Sequence, residues 1–384
     1  MSNQNISAST ETPDGSSAPI PFGNKLAATA FMCVMLGGGL QVILATRKIE
    51  WSDVPHTRAD FTHGISADTL GKQIDQKLPL RPALIAGANS LRYLLLRGGG
   101  DQVRAGRENW LFLTEELSYH ADANSHLDAR ADLLGAASSA LEREGVKLVV
   151  ALVPDKVRIY PQHVRGGMPE FNRTRYQDAI HALQTRGVNV VDLLKPLALA
   201  AAAGEVYYRT DTHWNQSGAL VAAKAIAAEV RRLSPDLETT LFATEKDGVE
   251  AGRPGDLIRL MGLENTPDFL RPQPDRETLL LTRQTSAENS GGLFGDASVP
   301  VVLTGTSYSL RANFHGFLQQ ELAAKVLNTA KDGGGFLQST TEYLKDESFR
   351  TSKPKIIIWE LPERFLGMKL EEEPKWLQTV GLHN

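Results

Sequence analysis

A single cysteine, Cys33, is all that 384 residues contain. It lies inside an apolar run, so the rest of the chain has no disulfide, no thiolate nucleophile and no cysteine metal site. That scarcity does not argue against an extracytoplasmic domain, because a chain of this length buries a core that needs no covalent staple. Net charge is also small: 41 Lys and Arg against 45 Asp and Glu leave -4. The balance excludes the electrostatic footprint of a nucleic-acid-binding protein. It would not draw in an acidic polysaccharide either, so such a ligand requires a local basic groove. No internal repeat is found, and no second Asp/His cluster has the spacing of a metal site. What remains, 42% hydrophobic and 22% charged residues, is ordinary globular composition for one large domain or two small ones.

Residues 1–24 are rich in Ser, Thr, Asn, Pro and Gly and poor in large apolar side chains, the composition of a disordered tail. From Leu26 to Thr46 no residue is charged. As a helix that run is about 30 Å long, one hydrocarbon core, so residues 25–46 are expected to form an uncleaved membrane anchor. A cleaved signal peptide would need a shorter apolar core and an A-x-A-like site. A buried core helix suits Gly37-Gly38-Gly39 poorly. Lys25 flanks one end and Arg47, Lys48 and Arg58 the other, so charge does not set the orientation.

Residues 47–384 alternate strand-like and helix-like segments. Lys147 to Val153 is a continuous apolar, β-branched run, the pattern of a strand covered on both faces. Val188–Val191, Val299–Leu303 and Lys355–Glu360 read as further strands. Helices are expected over about Asp128–Glu144, Arg175–Arg186, Gly218–Leu233 with Asn215 or Ser217 as cap, and Leu310–Leu327. This alternation predicts an α/β fold, a mostly parallel sheet with helices on both faces. The segment Ser234–Ser298, dense in Pro, Gly and Asp, reads as loops decorating the sheet.

Two segments carry chemistry-bearing side chains. In Tyr208-Arg209-Thr210-Asp211-Thr212-His213-Trp214, an extended backbone would put Asp211 and His213 on one face. A carboxylate there can fix the imidazole tautomer and stabilise its cation. The pair alone equally suits a metal ligand set or a surface contact. In Val299–Ser309 a buried strand runs into Gly305-Thr306-Ser307-Tyr308-Ser309, at the strand end where open α/β sheets place their sites. A serine there can act as a nucleophile beside helix-start N–H groups, or merely cap the helix. Together the two segments supply every member of a Ser-His-Asp triad, and chain order is no objection.

On these residues the sequence resembles the alginate O-acetyltransferase family with an SGNH-hydrolase-like domain (the AlgJ and AlgX type). The specific match is Arg209-Thr210-Asp211-Thr212-His213-Trp214 with Gly218 following, and Gly305-Thr306-Ser307-Tyr308-Ser309 after a strand. Supporting it are Trp110-Leu111-Phe112 after Gly106, Val153-Pro154-Asp155-Lys156, and Trp359-Glu360 with Glu363-Arg364. The match runs over about residues 60–366. The resemblance implies a flavodoxin-like sheet with SGNH chemistry in permuted order, the Asp/His pair preceding the Ser. It also implies Ser307 as nucleophile, His213 as general base and Asp211 as its orienter, with no cofactor and no metal. The chain ends about twenty residues after its last strand, so it resembles the membrane-anchored form, which lacks the secreted form's carbohydrate-binding module. The expected setting is the inner membrane, with the catalytic domain in the periplasm.

The implied activity is transfer of an acetyl group, through an acetyl-serine, onto hydroxyls of an exported polysaccharide. The implied partners are that polymer and a multi-spanning membrane O-acyltransferase that delivers the acetyl donor. Arg209, Tyr308, Arg311 and Asn313 lie near the motifs as candidates for binding acceptor or lining the oxyanion site, with structural roles as the alternative for each. Trp110, Trp214 and Trp359 read as core, His315 as structural, and Lys156 and Tyr160 as candidates for the site rim. Rival readings are an acetyl esterase using the same triad, a non-catalytic anchored glycan-binding scaffold and, weakest, a metal-dependent hydrolase.

Overall fold

The computed structural model describes residues 22–285, 299–370 and 373–382. Most of the expected N-terminal tail, residues 1–21, lies outside them. The chain divides into two compact units, residues 1–85 and 86–384. In the first, the uncharged run falls within one helix, Phe22–Thr46, which takes in Phe22 to Asn24 of the expected tail. Among the described residues no helix is long and apolar enough to cross a membrane. Further helices follow, Arg58–Thr62, closed by a reciprocal capping box between Thr57 and Asp60, and Ile65–Lys77.

The second unit is built on a five-stranded parallel sheet. Among the described residues nine strands occur in chain order: β1 (Val103–Ala105), β2 (Leu111–Leu113), β3 (Lys147–Val153), β4 (Asn189–Asp192), β5 (Phe242–Arg253), β6 (Asp275–Gln284), β7 (Val301–Thr304), β8 (Val326–Asn328) and β9 (Ile356–Pro362). The main sheet has the order β4-β3-β9-β7-β8, every neighbouring pair parallel. Numbered within the sheet, that order is 2-1-5-3-4. It departs from the flavodoxin order 2-1-3-4-5 by inserting the last strand between β3 and β7. The β3, β7 and β9 runs are apolar apart from Lys147, Thr304 and Glu360 because both faces are covered. On one face Val149, Ala151 and Val153 pack with Ala222, Ala223 and Ile226 of α3 (Gln216–Leu233) and Phe317 of α4 (Phe314–Leu322). On the other, Leu148, Val150 and Leu152 meet Leu134 of α1 (Ala123–Arg143), Ile180 of α2 (Arg175–Thr185) and Tyr343 of α5 (Gln338–Lys345). Helices on both faces are as the sequence pattern predicts.

Two expectations are corrected. The helix expected over Leu310–Leu327 is only Phe314–Leu322. Asn313 and Ala323, at φ 54° and 45°, bound it in the left-handed region, and the chain beyond forms edge strand β8. The region expected to be loops contains a long antiparallel pair, β5 with β6. Thr244 Oγ1 in β5 donates to Gln320 of α4 (2.6 Å), which lays this ribbon on the sheet's helical layer. Residues 286–298 of the same region lie outside those described.

Candidate active site

The site stands at the carboxyl ends of β3, β9 and β7, where the sheet's connections diverge. After Thr304 the chain turns through Gly305, whose φ of 149° and tight fit exclude a side chain: a Cβ would lie 2.7 Å from a Glu360 carboxylate oxygen. Glu360, fully buried on β9, accepts the Thr306 N–H (2.8 Å), the Thr306 hydroxyl (3.0 Å) and the Ser309 hydroxyl (3.0 Å). Burial raises its carboxyl above the ordinary range, opposed by these donors. The Gly305 N–H donates to Ser339 Oγ at 2.8 Å. Ser309 is thus committed to the interior, and Ser307 is the serine that faces outward.

The second segment precedes α3, whose first turn is capped by Asn215 Oδ1 accepting from Gly218 N–H (3.0 Å). Here His213 Nε2 lies 2.7 Å from Ser307 Oγ, and Nδ1 lies 2.5 Å from Asp211 Oδ1. The three side chains form one hydrogen-bonded chain, although 94 residues separate His213 from Ser307. Burial alone would raise the Asp211 carboxyl. Its bond and charge interaction with His213, with backbone N–H donors of His213 and Asp256, hold it instead well below the usual carboxylate range.

Asp256, which the sequence reading did not single out, completes the cluster. Its Oδ2 is 3.6 Å from His213 Nδ1, and its Oδ1 accepts the Thr212 N–H at 2.7 Å. Burial first, and the Asp211 charge second, raise its carboxyl. The fold thereby adds a third group to the pair read from the sequence: ligand-capable atoms of Asp211, His213 and Asp256 all lie within 4.8 Å of one another. The grouping was invisible because Asp256 is 45 residues from Asp211 along the chain. Its donor set is nonetheless already committed to protein groups. Asp211 accepts from the imidazole and from two backbone N–H groups, and Asp256 Oδ1 from the Thr212 backbone and hydroxyl.

The remaining candidates separate. Tyr308 is 1% exposed, its hydroxyl donating to the Thr212 carbonyl (2.9 Å) and its ring edge-on to His213 (centroids 4.8 Å). It braces the imidazole from inside, so the expectation that it binds sugar is corrected. Arg209 is half-exposed, bonded to Glu205 Oε1 through Nε (2.8 Å), with its guanidinium 5.9 Å from the Trp110 ring centre. Arg311 is exposed and ion-paired with Asp332. Asn313 Nδ2 donates to Thr282 Oγ1 at 2.9 Å. Lys156, expected at the rim, is fully buried beneath the Tyr208–Asp211 backbone. Tyr160 is buried too, its hydroxyl accepting the Val206 N–H at 2.8 Å. Trp110, Trp214 and Trp359 are core residues as expected. His315 is structural as expected, Nε2 donating to the Val326 carbonyl at 2.8 Å.

Below the site an ion-pair network joins β3 to β9. Asp155 pairs with Arg175 (2.6 Å) and Arg364 (3.2 Å), and Glu363 with Arg158 (2.6 Å) and Arg175 (3.0 Å). Glu116, also fully buried, accepts the Val157 N–H through Oε2 (3.1 Å), while its Oε1 has no hydrogen-bond partner among the described residues. Burial, then the Asp155 charge, push its carboxyl up to about 8. No sequence motif flagged Glu116.

Comparison with known proteins agrees with this geometry. Residues 103–363 match the family described as an SGNH hydrolase-like domain of the acetyltransferase AlgX. A probable alginate O-acetylase AlgJ of Pseudomonas putida is 34% identical over 89% of this chain and 89% of its own length. Its Pseudomonas aeruginosa counterpart is 35% identical over 83% of this chain and 82% of its own. The solved O-acetyltransferase domain of Pseudomonas putida AlgJ superimposes with a TM-score of 0.64 at 34% identity, covering 72% of this chain and 98% of that one. With the family description spanning the whole parallel sheet and near-full-length relatives above 30% identity, this chain belongs to the AlgX-type acetyltransferase family with an SGNH hydrolase-like domain.

Proposed function

We propose that this protein transfers acetyl groups onto hydroxyls of an exported polysaccharide through an acetyl-Ser307 intermediate. The observation that carries the reading is the chain Asp211–His213–Ser307, with contacts of 2.5 and 2.7 Å. Such contacts let one imidazole move a proton in both directions. In the first step Ser307 Oγ bonds to the acetyl carbonyl carbon as its proton passes to His213 Nε2. The donor's leaving group departs with that proton. In the second step an acceptor hydroxyl loses its proton to Nε2, attacks the acetyl-serine carbonyl, and Oγ leaves carrying the proton. Asp211 fixes the Nδ1–H tautomer and offsets the charge on the imidazolium, and the Ser307 N–H at the head of its turn serves the oxyanion. No step calls for a cofactor.

The names of the relatives, alginate O-acetylases, support a uronate polymer or similar exopolysaccharide as acceptor. Arg209 and Arg311, both half-exposed, are the cations placed to meet such a polymer. The donor is an acetyl group handed over by a multi-spanning membrane O-acyltransferase. The uncharged Leu26–Thr46 run, about 30 Å long as a helix, supports an inner-membrane anchor with the catalytic domain in the periplasm. Alkaline phosphatase fused after Asn384 is active in cells if that orientation holds and inactive if it is reversed.

The reaction is tested with p-nitrophenyl acetate and a panel of uronate and gluco-oligosaccharides, products weighed by mass spectrometry, with Ser307→Ala in parallel. Acetylated oligosaccharide from the parent and not from the variant is the expected result. Nitrophenol release without glycan acetylation would shift the reading to an esterase. Equal inactivity of parent and variant would refute the triad assignment.

A further inference from the structure

The bend from Arg209 to His213 carries both the carboxylate and the imidazole, yet regular secondary structure scarcely supports it. Side chains hold most of its backbone instead, beside a backbone bond from Leu111 N–H to Arg209 O (2.8 Å) and a neutral one from the Tyr308 hydroxyl to Thr212 O (2.9 Å). On the N–H side every holder is a carboxylate. Asp275 accepts from Arg209 (2.7 Å) and Thr210 (2.9 Å), Asp256 from Thr212 (2.7 Å), and Asp211 from His213 (3.0 Å). On the carbonyl side one cation gathers three oxygens. Lys156 Nζ donates to Asp211 O (2.7 Å), Tyr208 O (3.1 Å) and Arg209 O (3.3 Å), which uses all three of its protons.

Lys156 is 0% exposed, and among the described residues no carboxylate forms an ion pair with it. Its Nζ also lies over two aromatic rings, 5.3 Å from the Phe112 ring centre and 5.7 Å from that of Trp110. Desolvating an ammonium without a direct counter-ion is unfavourable. Three carbonyl dipoles turned toward one point would otherwise repel each other, and a cation at their focus removes that repulsion. Of the three, Asp211 O belongs to the residue whose carboxylate orients His213. A fixed ammonium there sets where that carboxylate stands.

We propose that Lys156 is a positioning residue, an internal cation whose three hydrogen bonds fix the carbonyl side of the 208–211 bend and thereby aim Asp211 and His213 at Ser307. It touches no reacting atom and acts through Asp211. The inference deepens the acyl-transfer reading above and borrows its reaction for one of two readouts.

The test uses the full-length chain. Lys156→Met keeps the length of the stem and removes the three donors. Its expected kcat for acetyl release from p-nitrophenyl acetate is lower by about a hundredfold with KM within about threefold, the loss typical of a slightly misplaced catalytic group. The second readout is the downfield proton resonance of His213 Nδ1–H bonded to Asp211. It should vanish or move in Lys156→Met and persist in Ser307→Ala. Folded Lys156→Met with near-parental kcat and an unchanged resonance would overturn the proposal. If Lys156→Met does not fold, Lys156→Ala prepared in propylammonium decides: activity that rises and saturates with the amine, and not with propanol, supports the clamp, and no recovery overturns it. Should the parent itself prove inactive, the acyl-transfer reading fails, while the proton resonance still decides on Lys156.

Discussion

Replacing Asp211 by Asn separates the two carboxylates that flank His213. Asn has one oxygen for three donors: with its oxygen at the Oδ1 position the amide faces the Asp256 N–H, and flipped it faces both the His213 N–H and Nδ1–H, all donors that Asp211 now satisfies. The lost charge-assisted bond contributes about 1.5–3 kcal/mol, and the wrong tautomer adds to it. Asp256 remains, with Oδ2 3.6 Å from Nδ1. A full charge at that distance stabilises an imidazolium by about 4–5 kcal/mol at an effective dielectric of about 20, and by about 1 kcal/mol in water. The Asp256 side chain, 26% exposed, lies between those limits. Asp211→Asn is therefore expected to lower kcat by about a thousandfold without abolishing turnover. Asp256→Asn should lower it by about tenfold, and the double variant should fall below both, with KM little changed throughout. Initial rates of nitrophenol release measure all three. An Asp211→Asn enzyme within tenfold of the parent, or an Asp256→Asn enzyme impaired more than Asp211→Asn, would refute the assignment of Asp211 as the principal orienter.

Two further outcomes follow from packing and from burial. Gly255→Ala would place a Cβ 2.1 Å from the Thr210 carbonyl oxygen, so the loop bearing Asp256 must withdraw. Overpacking of this kind costs about 1–3 kcal/mol, and a fall in melting temperature accompanied by reduced kcat is expected. Glu116→Gln tests the buried carboxyl raised to about 8 by burial and by Asp155. Below about pH 4 the folded and unfolded chains both carry that proton. From there up to about 8 the unfolded chain ionises first, so the parent fold loses about 1.4 kcal/mol per pH unit from this group. The variant lacks that loss. Its advantage in denaturant melts should grow between about pH 5 and 8, and a pH-independent difference would mean that Glu116 is ionised in the fold.

The sheet was legible where burial on both faces writes itself as a continuous run. Lys147–Val153 coincides with β3, and the Lys355 run gives β9 to within a residue or two at each end. The β5–β6 pair was not legible for the opposite reason. From Thr244 to Arg253 the strand is Thr-Glu-Lys-Asp-Gly-Val-Glu-Ala-Gly-Arg and largely exposed, so no apolar alternation marks it. Its pairing is supplied by a partner some thirty residues on, which local pattern does not encode. The over-long helix at Leu310–Leu327 has a related cause. Its apolar spacing is sound, but Asn313 and Ala323 adopt left-handed conformations that composition alone does not announce.

Within the site, legibility follows the same division between local and distant. Asp211 and His213 are two residues apart and Ser307 follows the end of β7 by three, so each could be read from its neighbours. Asp256, Asp275, Lys156 and Glu360 act on those residues from other parts of the chain, and only the folded arrangement connects them. The strand order explains how. β9 enters last yet lies between β3 and β7, so Glu360 at its end reaches the turn before Ser307, while Glu363 just beyond it accepts the Asp155 N–H at 3.2 Å and joins the Asp155 network through Arg175. Asp155 immediately precedes Lys156, whose ammonium holds the Asp211 backbone. The final strand thus supports the turn that bears Ser307 on one side and, through two residues, Asp211 and His213 on the other. β3 and β7 have no hydrogen bonds to each other in this sheet. β9 lies between them and, with the Tyr308–Thr212 hydrogen bond, fixes the distance between the segments that carry Ser307 and His213. The permuted order of Asp, His and Ser along the chain is therefore of no chemical consequence, because the separation that matters is set in space, by β9 between β3 and β7 and by Tyr308 on the Thr212 carbonyl.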